Sequence, residues 1–204
     1  GMGSPTGKIT VTGTGCAIAN YVATSSTVYE FDLTSCAENV LATVTLAASS
    51  STDAAGNTGP AAAQVASTTI DRVAPTVTTW STALAARTNA NPLTYTLTFS
   101  ETIDPTSLTW ADFAVTGCTP SQSNLTLSTT NNRTFTVSLT GCTSGTVTIR
   151  LAANMITDVA GNLGPATDTA ALSVITDYVI PTVSWGTNPP SPYQPEQHVP
   201  VELQ

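Results

Sequence analysis

The sequence predicts an all-β chain built as tandem β-sandwiches, and three observations carry the prediction. The composition is 41% hydrophobic but only 9% charged, and it is rich in threonine and valine, which favour pleated, half-buried backbone. The stretch TDAAGNTGP at 52–60 returns almost unchanged as TDVAGNLGP at 157–165. Four cysteines fall two to a repeat, at matching places. A chain of 204 residues that repeats itself at about half its length holds two units of ordinary domain size.

Taken in order, the elements repeat as well. VTGTGC (11–16) matches VTGC (115–118), and STVYEFDLTSC (26–36) matches RTFTVSLTGC (133–142). ATVTLAA (42–48) matches VTIRLAA (147–153), and IDRVAPTV (70–77) matches TDYVIPTV (176–183). PTVTTW (75–80) returns in shortened form as PTVSW (181–185). A whole unit therefore spans 75–180. Its expected strands are A (77–81), B (93–100), C (112–117), D (124–129), E (133–140), F (146–152) and G (169–175). D and E join at Asn131-Asn132, where asparagine tolerates the left-handed backbone of a tight turn. Seven short strands in about a hundred residues read as an immunoglobulin-like sandwich, seven strands per repeat.

The frame is shifted relative to the repeat. Residues 1–74 begin near strand C and lack strands A and B, and 75–180 form the complete unit. Residues 181–204 resemble strands A and B of a following unit, with HVPVELQ (198–204) matching LTYTLTF (93–99). Two explanations stand. The tail of one molecule could complete the half-unit of the next, head to tail, or the frame is simply where a longer array has been cut.

The cysteines lie just past strand C or strand E: Cys16 and Cys36 in one repeat, Cys118 and Cys142 in the other. C and E run the same way and end at one pole, so one disulfide within each repeat is expected, each worth about 3 kcal/mol. Zinc is disfavoured, because CxxC spacing is absent and there is one histidine. Disulfides imply an oxidising, exported setting.

The D-x-A-G-N loop, the Ile-Asp or Thr-Asp linker and the Pro-Thr-Val that follows resemble the bacterial Ig-like repeats of large surface adhesins and biofilm proteins. TFSETIDPTSL (98–108) is similar to a further feature of those repeats, an F-S-E turn after strand B. The resemblance implies an extracellular, structural or adhesive role, with neighbouring repeats or copies as partners and calcium at the junctions.

For the repeated loop, two readings remain open. Asp53 and Asp158 cap a turn, with Gly56 and Gly161 supplying positive φ. Alternatively, Asp158 and Asn162 meet Glu101, Asp104 and the linker Asp71, an oxygen-rich set suited to calcium. Asp53, Asn57 and Asp177 hold the equivalent positions.

A net charge of −8 with five Lys and Arg in all argues against nucleic acid, which needs clustered cations. No apolar run is long enough to span a bilayer. The lone histidine, His198, lies in the tail and gives catalysis little support, so the expectation is no enzyme. Glu101 and Asp104 are likewise discounted as a glycosidase pair. Trp80 and Trp185 occupy comparable strand-A places and are expected in a core or at a junction; with Trp110 they could instead stack on sugars. A glycan- or protein-binding module, using the loops at one pole, is the alternative function.

Overall fold

The computed structural model describes residues 7–25, 28–185 and 201–203. The chain divides into two compact units, 1–74 with 160–162, and 75–159 with 163–204.

The second unit is a β-sandwich. One sheet has the order β12 (Leu125–Thr129), β13 (Thr134–Leu139), β10 (Leu93–Phe99) and β8 (Val77–Ser81). The other has β11 (Phe113–Thr116), β14 (Gly145–Leu151), β17 (Leu172–Thr176) and β9 (Arg87–Thr88). The seven expected strands are all present, within one residue at every end but one, split as A-B-E-D against C-F-G. Strand G alone starts three residues later than its predicted 169; Thr169 still bonds Leu151 twice, its N–H donating to the Leu151 carbonyl and its hydroxyl accepting the Leu151 N–H.

The core follows from alternation. Leu93, Tyr95, Leu97 and Phe99 point inward from β10 at 1% exposure or less. They meet Phe135, Val137 and Leu139 of β13 and Val147, Ile149 and Leu151 of β14. Each such side chain contributes roughly 1.5–3 kcal/mol on burial. Trp80 stacks on Tyr95 at 5.7 Å and tilts against Phe113 at 6.1 Å, so it packs, partly buried, against the core. Trp110 begins a short 3-10 turn, Trp110–Asp112, in which the N–H and hydroxyl of Thr109 donate to the Asp112 carboxylate. The D–E connection turns at Asn132 (φ 51), with Asn131 Oδ1 accepting the N–H of Arg133 and Thr134.

Besides that 3-10 turn, three strands of the second unit lie outside the expected set. β9 pairs parallel with the end of β17, Ile175↔Arg87 and Thr176↔Thr88. β15 (Ile156–Thr157) and β16 (Leu163–Gly164) form a small hairpin that carries the DVAGN loop.

The first unit has β1 (Ile9–Thr12), β4 (Leu41–Leu46) and β7 (Gln64–Thr69) in one sheet and β2 (Ala17–Ala23) with β3 (Tyr29–Thr34) in another. A small hairpin of β5 (Ser51–Thr52) and β6 (Thr58–Gly59) carries its copy of the loop. These are the counterparts of C, F, G, D and E, as the sequence match requires. Of its apolar residues, Cys36 and Ala42 alone are fully buried among those described.

In each unit a disulfide links the end of the C-type strand to the end of the E-type strand, and so one sheet to the other: Cys16–Cys36 and Cys118–Cys142. All four cysteines follow a residue of positive φ: Gly15 (74), Ser35 (58), Gly117 (77) and Gly141 (70). The left-handed step swings the chain out of the strand so that sulfur meets sulfur. At Gly117 a Cβ would stand 2.4 Å from the Thr146 carbonyl oxygen, so no larger residue fits.

Two further strands, β18 (Val183–Trp185) and β19 (Val201–Leu203), pair antiparallel. His198 and the rest of 186–200 lie outside the described residues, as does the side chain of Trp185.

Candidate functional site

The repeated loop is built twice in different surroundings. In the first unit Asp53 is exposed, and its Oδ1 accepts the N–H of Ala55 (2.9 Å) and of Asn57 (2.8 Å). Asn57 Nδ2 donates to Oδ2 at 2.9 Å. Gly56 takes φ 90. The Asn57 amide, followed by its backbone N–H, holds the Asp53 carboxyl below its ordinary range against an opposing effect of burial. This copy is a self-satisfied capped turn, with both carboxylate oxygens spoken for.

In the second copy of the loop the aspartate is enclosed, while Val159, Ala160 and Gly161 stay exposed. Gly161 again takes a positive φ, 94, but Asp158 is 3% exposed. Its strand segment is stitched to the loop after β10. Ile103 and Asp158 form a bridge, and the N–H of Asp104 donates to the Thr157 carbonyl at 2.9 Å. Thr157 N–H donates to Ser107 Oγ at 3.0 Å. The B–C and F–G loops thus share one pole, as the topology required.

The other expected ligands are placed as follows. Glu101 is half-buried beside Ser100, whose hydroxyl lies 3.5 Å from its Oε1. The Asp104 carboxylate turns back on its own loop, Oδ1 accepting the Thr106 hydroxyl (2.7 Å) and N–H (2.8 Å). Those two bonds, the hydroxyl first, lower its pKa. In the first unit, Asp71 Oδ1 accepts the N–H of Val73 at 3.1 Å, and Asn162 Nδ2 donates to the Asp71 carbonyl at 3.2 Å. Asp177 repeats the Asp71 turn, accepting the N–H of Val179 at 3.2 Å, and also pairs with Arg87 at 3.4 Å. Both partners of that pair are well exposed, so it adds little. Carboxylate and amide oxygens of this kind are the hard donors that calcium takes.

Sequence reasoning missed the Thr109–Asp112 capping pair, although T-x-x-D was its visible signal. It also missed the left-handed residue before each cysteine, of which three are Gly-Cys dipeptides.

Two sheets of four strands, A-B-E-D and C-F-G with β9 beside G, with the polar loops at one pole, define the architecture. A family profile described as bacterial Ig-like domain matches residues 71–174. The chain belongs to the bacterial Ig-like domain family. The matched segment runs from the Asp71 turn through strands A to F into β17, and the first unit repeats the C-to-G portion of the same Ig-like pattern. No match to the chain was found among curated proteins or among solved structures.

Proposed function

We propose that this chain is a structural and adhesive repeat module of an exported bacterial surface protein or extracellular filament, without chemistry of its own. The observation that carries the reading is that each of two successive Ig-like repeats has its own disulfide between its two sheets. Such bridges persist in oxidising compartments and are rare in the cytosol. Membership of the Ig-like family supports the structural role. Neighbouring repeats or copies, joined head to tail, are the partners in this reading.

Calcium belongs to the same proposal. A carboxylate enclosed as tightly as Asp158 is expensive to ionise unless hydrogen bonds or a cation compensate. Glu101, Asp71 and the Asn162 amide are the further oxygen donors proposed with it.

The experiment is labelling of intact cells of the source strain. A membrane-impermeant reagent or an antibody against these repeats should reach the chain, and its four cysteines should resist alkylation until reduced. A chain found inside the cell with four free thiols would defeat the proposal.

A further inference from the structure

Both repeats close in the same way. The G-type strand runs parallel to the C-type strand, because both are antiparallel to the F-type strand between them. This holds for β1–β4–β7 in the first unit and for β11–β14–β17 in the second. The chain therefore leaves each repeat at the pole that holds its disulfide. At that pole Cys36 and Cys142 root the loop that leads from the E-type strand to the F-type strand.

This loop grips the departing segment. Two places after the cysteine stands Glu38 in the first unit and Ser144 in the second. Directly after the linker aspartate stands Arg72 in the first and Tyr178 in the second. The Arg72 N–H donates to the Glu38 carboxylate, 3.0 Å from Oε1 and 3.1 Å from Oε2. The Tyr178 N–H donates to Ser144 Oγ at 2.9 Å. One backbone donor thus meets one loop position in both repeats, through two different acceptors.

Further bonds tighten each grip. Arg72 Nη1 donates to the carbonyl of Cys36 itself at 3.0 Å. The Ile70 N–H donates to the Val40 carbonyl at 3.0 Å, and the Asn39 N–H to the Ile70 carbonyl at 2.9 Å. In the second unit Thr176 is 1% exposed. Its hydroxyl lies 2.6 Å from the Thr143 carbonyl and 3.0 Å from that of Gly145, either of which can accept its proton. The Tyr178 hydroxyl donates to the Ala90 carbonyl at 3.0 Å.

We propose that the E–F loop of each repeat, pinned at its root by the disulfide, is a clasp that holds the departing segment to its own repeat as far as Arg72 or Tyr178. Beyond the clasp little freedom remains. The aspartate turn takes up the next N–H, Val73 to Asp71 at 3.1 Å and Val179 to Asp177 at 3.2 Å. Pro75 and Pro181 fix their own φ and bias the residue before them to extended backbone. The pivot is confined to Val73-Ala74 after the first repeat and to Val179-Ile180 after the second. Segments between domains are ordinarily the mobile, protease-sensitive places, and these two are tied down. The disulfide gains a second role, since it anchors the clasp as well as joining the sheets. The inference stands independently of export and of calcium.

The test reads backbone order and protease access on the full chain. Nitrogen-15 relaxation should give the amides of Arg72 and Tyr178 the same order as β7 and β17, with Ile180 clearly lower. Arg72 or Tyr178 as mobile as Ile180 would overturn the clasp. Trypsin supplies the second measure, because Arg72 is the cleavable residue of the linker. Glu38→Ala removes the acceptor and should speed cutting after Arg72 about three- to tenfold, while cutting after Lys8 in the same unit stays unchanged. Cutting after Arg72 at the parent rate would count against the proposal. If the variant loosens the whole first unit, the second unit carries the test. Ser144→Ala should quicken exchange of the Tyr178 amide about three- to tenfold, with the amides of β10 unaffected. Cys118→Ser with Cys142→Ser should quicken it further. A Tyr178 amide unchanged in both variants would also overturn the clasp. None of these results bears on the cell-labelling test, so failure of the clasp and failure of the export reading are distinguishable.

Discussion

Val44 and Ile149 hold the same place in the repeat, each paired across the sheet to a valine, Val11 and Val115. Ile149 is 0% exposed, and Val44 is half-exposed. β10 helps to cover Ile149, and among the described residues of the first unit no counterpart of β10 covers Val44. Truncating Ile149 to Ala should destabilise the second unit by about 2–5 kcal/mol. Truncating Val44 should cost less than about 1 kcal/mol, since water already reaches it. Urea unfolding of the two variants at low concentration compares them directly.

The Cys118–Cys142 bridge closes a separation of 24 residues between the two sheets. Replacing both cysteines with serine should lower the stability of the second unit by about 3 kcal/mol, through a looser unfolded ensemble. Thermal unfolding in the oxidised form against the double variant gives the number. Reduction of the unaltered protein should produce the same shift.

At the adjoining turn the backbone sets the outcome. Gly117→Ala places a methyl against the Thr146 carbonyl at a φ of 77 and should destabilise by more than about 1 kcal/mol. Ser35, at φ 58 before Cys36, where the second unit has Gly141 before Cys142, should respond oppositely. Ser35→Gly relieves a strained conformation and should leave the melting temperature of the first unit equal or higher. Calorimetry of the pair decides the sign.

Tyr95 places its hydroxyl in the core with no hydrogen-bond partner among the described residues. Burial first, and the neighbouring Tyr178 second, push its pKa up to about 12. Its folded pKa lies above the unfolded value of about 10. The stability tied to its neutral form is therefore whole below pH 10 and is lost as pH rises toward 12. Tyr95→Phe removes the unpaired group and should raise stability at neutral pH by up to about 1 kcal/mol. It should also flatten the decline between pH 10 and 12 relative to the parent protein. Denaturant midpoints measured across that range provide the check.

For calcium, the informative comparison is Asp158→Ala against the parent, each melted with calcium and with chelator. The parent should melt several degrees higher with calcium, since a ligand at 100 times its Kd adds about 2.7 kcal/mol. The variant should melt at one temperature in both. Equal melting of the parent in both conditions would remove calcium from the proposed function.

Most of the sandwich could be read from the letters, because inward and outward positions differ so sharply. Leu93, Tyr95, Leu97 and Phe99 alternate with three threonines in β10, and no other period accommodates them. Arg87-Thr88 could not be read, since a two-residue strand has no alternation and its pairing partner is set by the fold. The DxAGN loop was legible as a turn but its fate was not. Asp53 and Asp158 carry nearly the same neighbours in sequence, yet one is exposed and capped by Asn57 while the other is enclosed. What separates them is the loop after β10, which has no counterpart among the described residues of the first unit.

The parallel pairing of β9 with β17 has a mechanical consequence. β9 lies near the N-terminal entry of the second unit and β17 near its exit. They are joined by backbone bonds from Ile175 to the Ala86 carbonyl and from Asp177 to the Thr88 carbonyl. Tension applied at the two ends would slide these strands lengthwise, loading both bonds together rather than peeling them in turn. A patch too short to matter for equilibrium stability would then govern how hard the unit can be stretched before it yields.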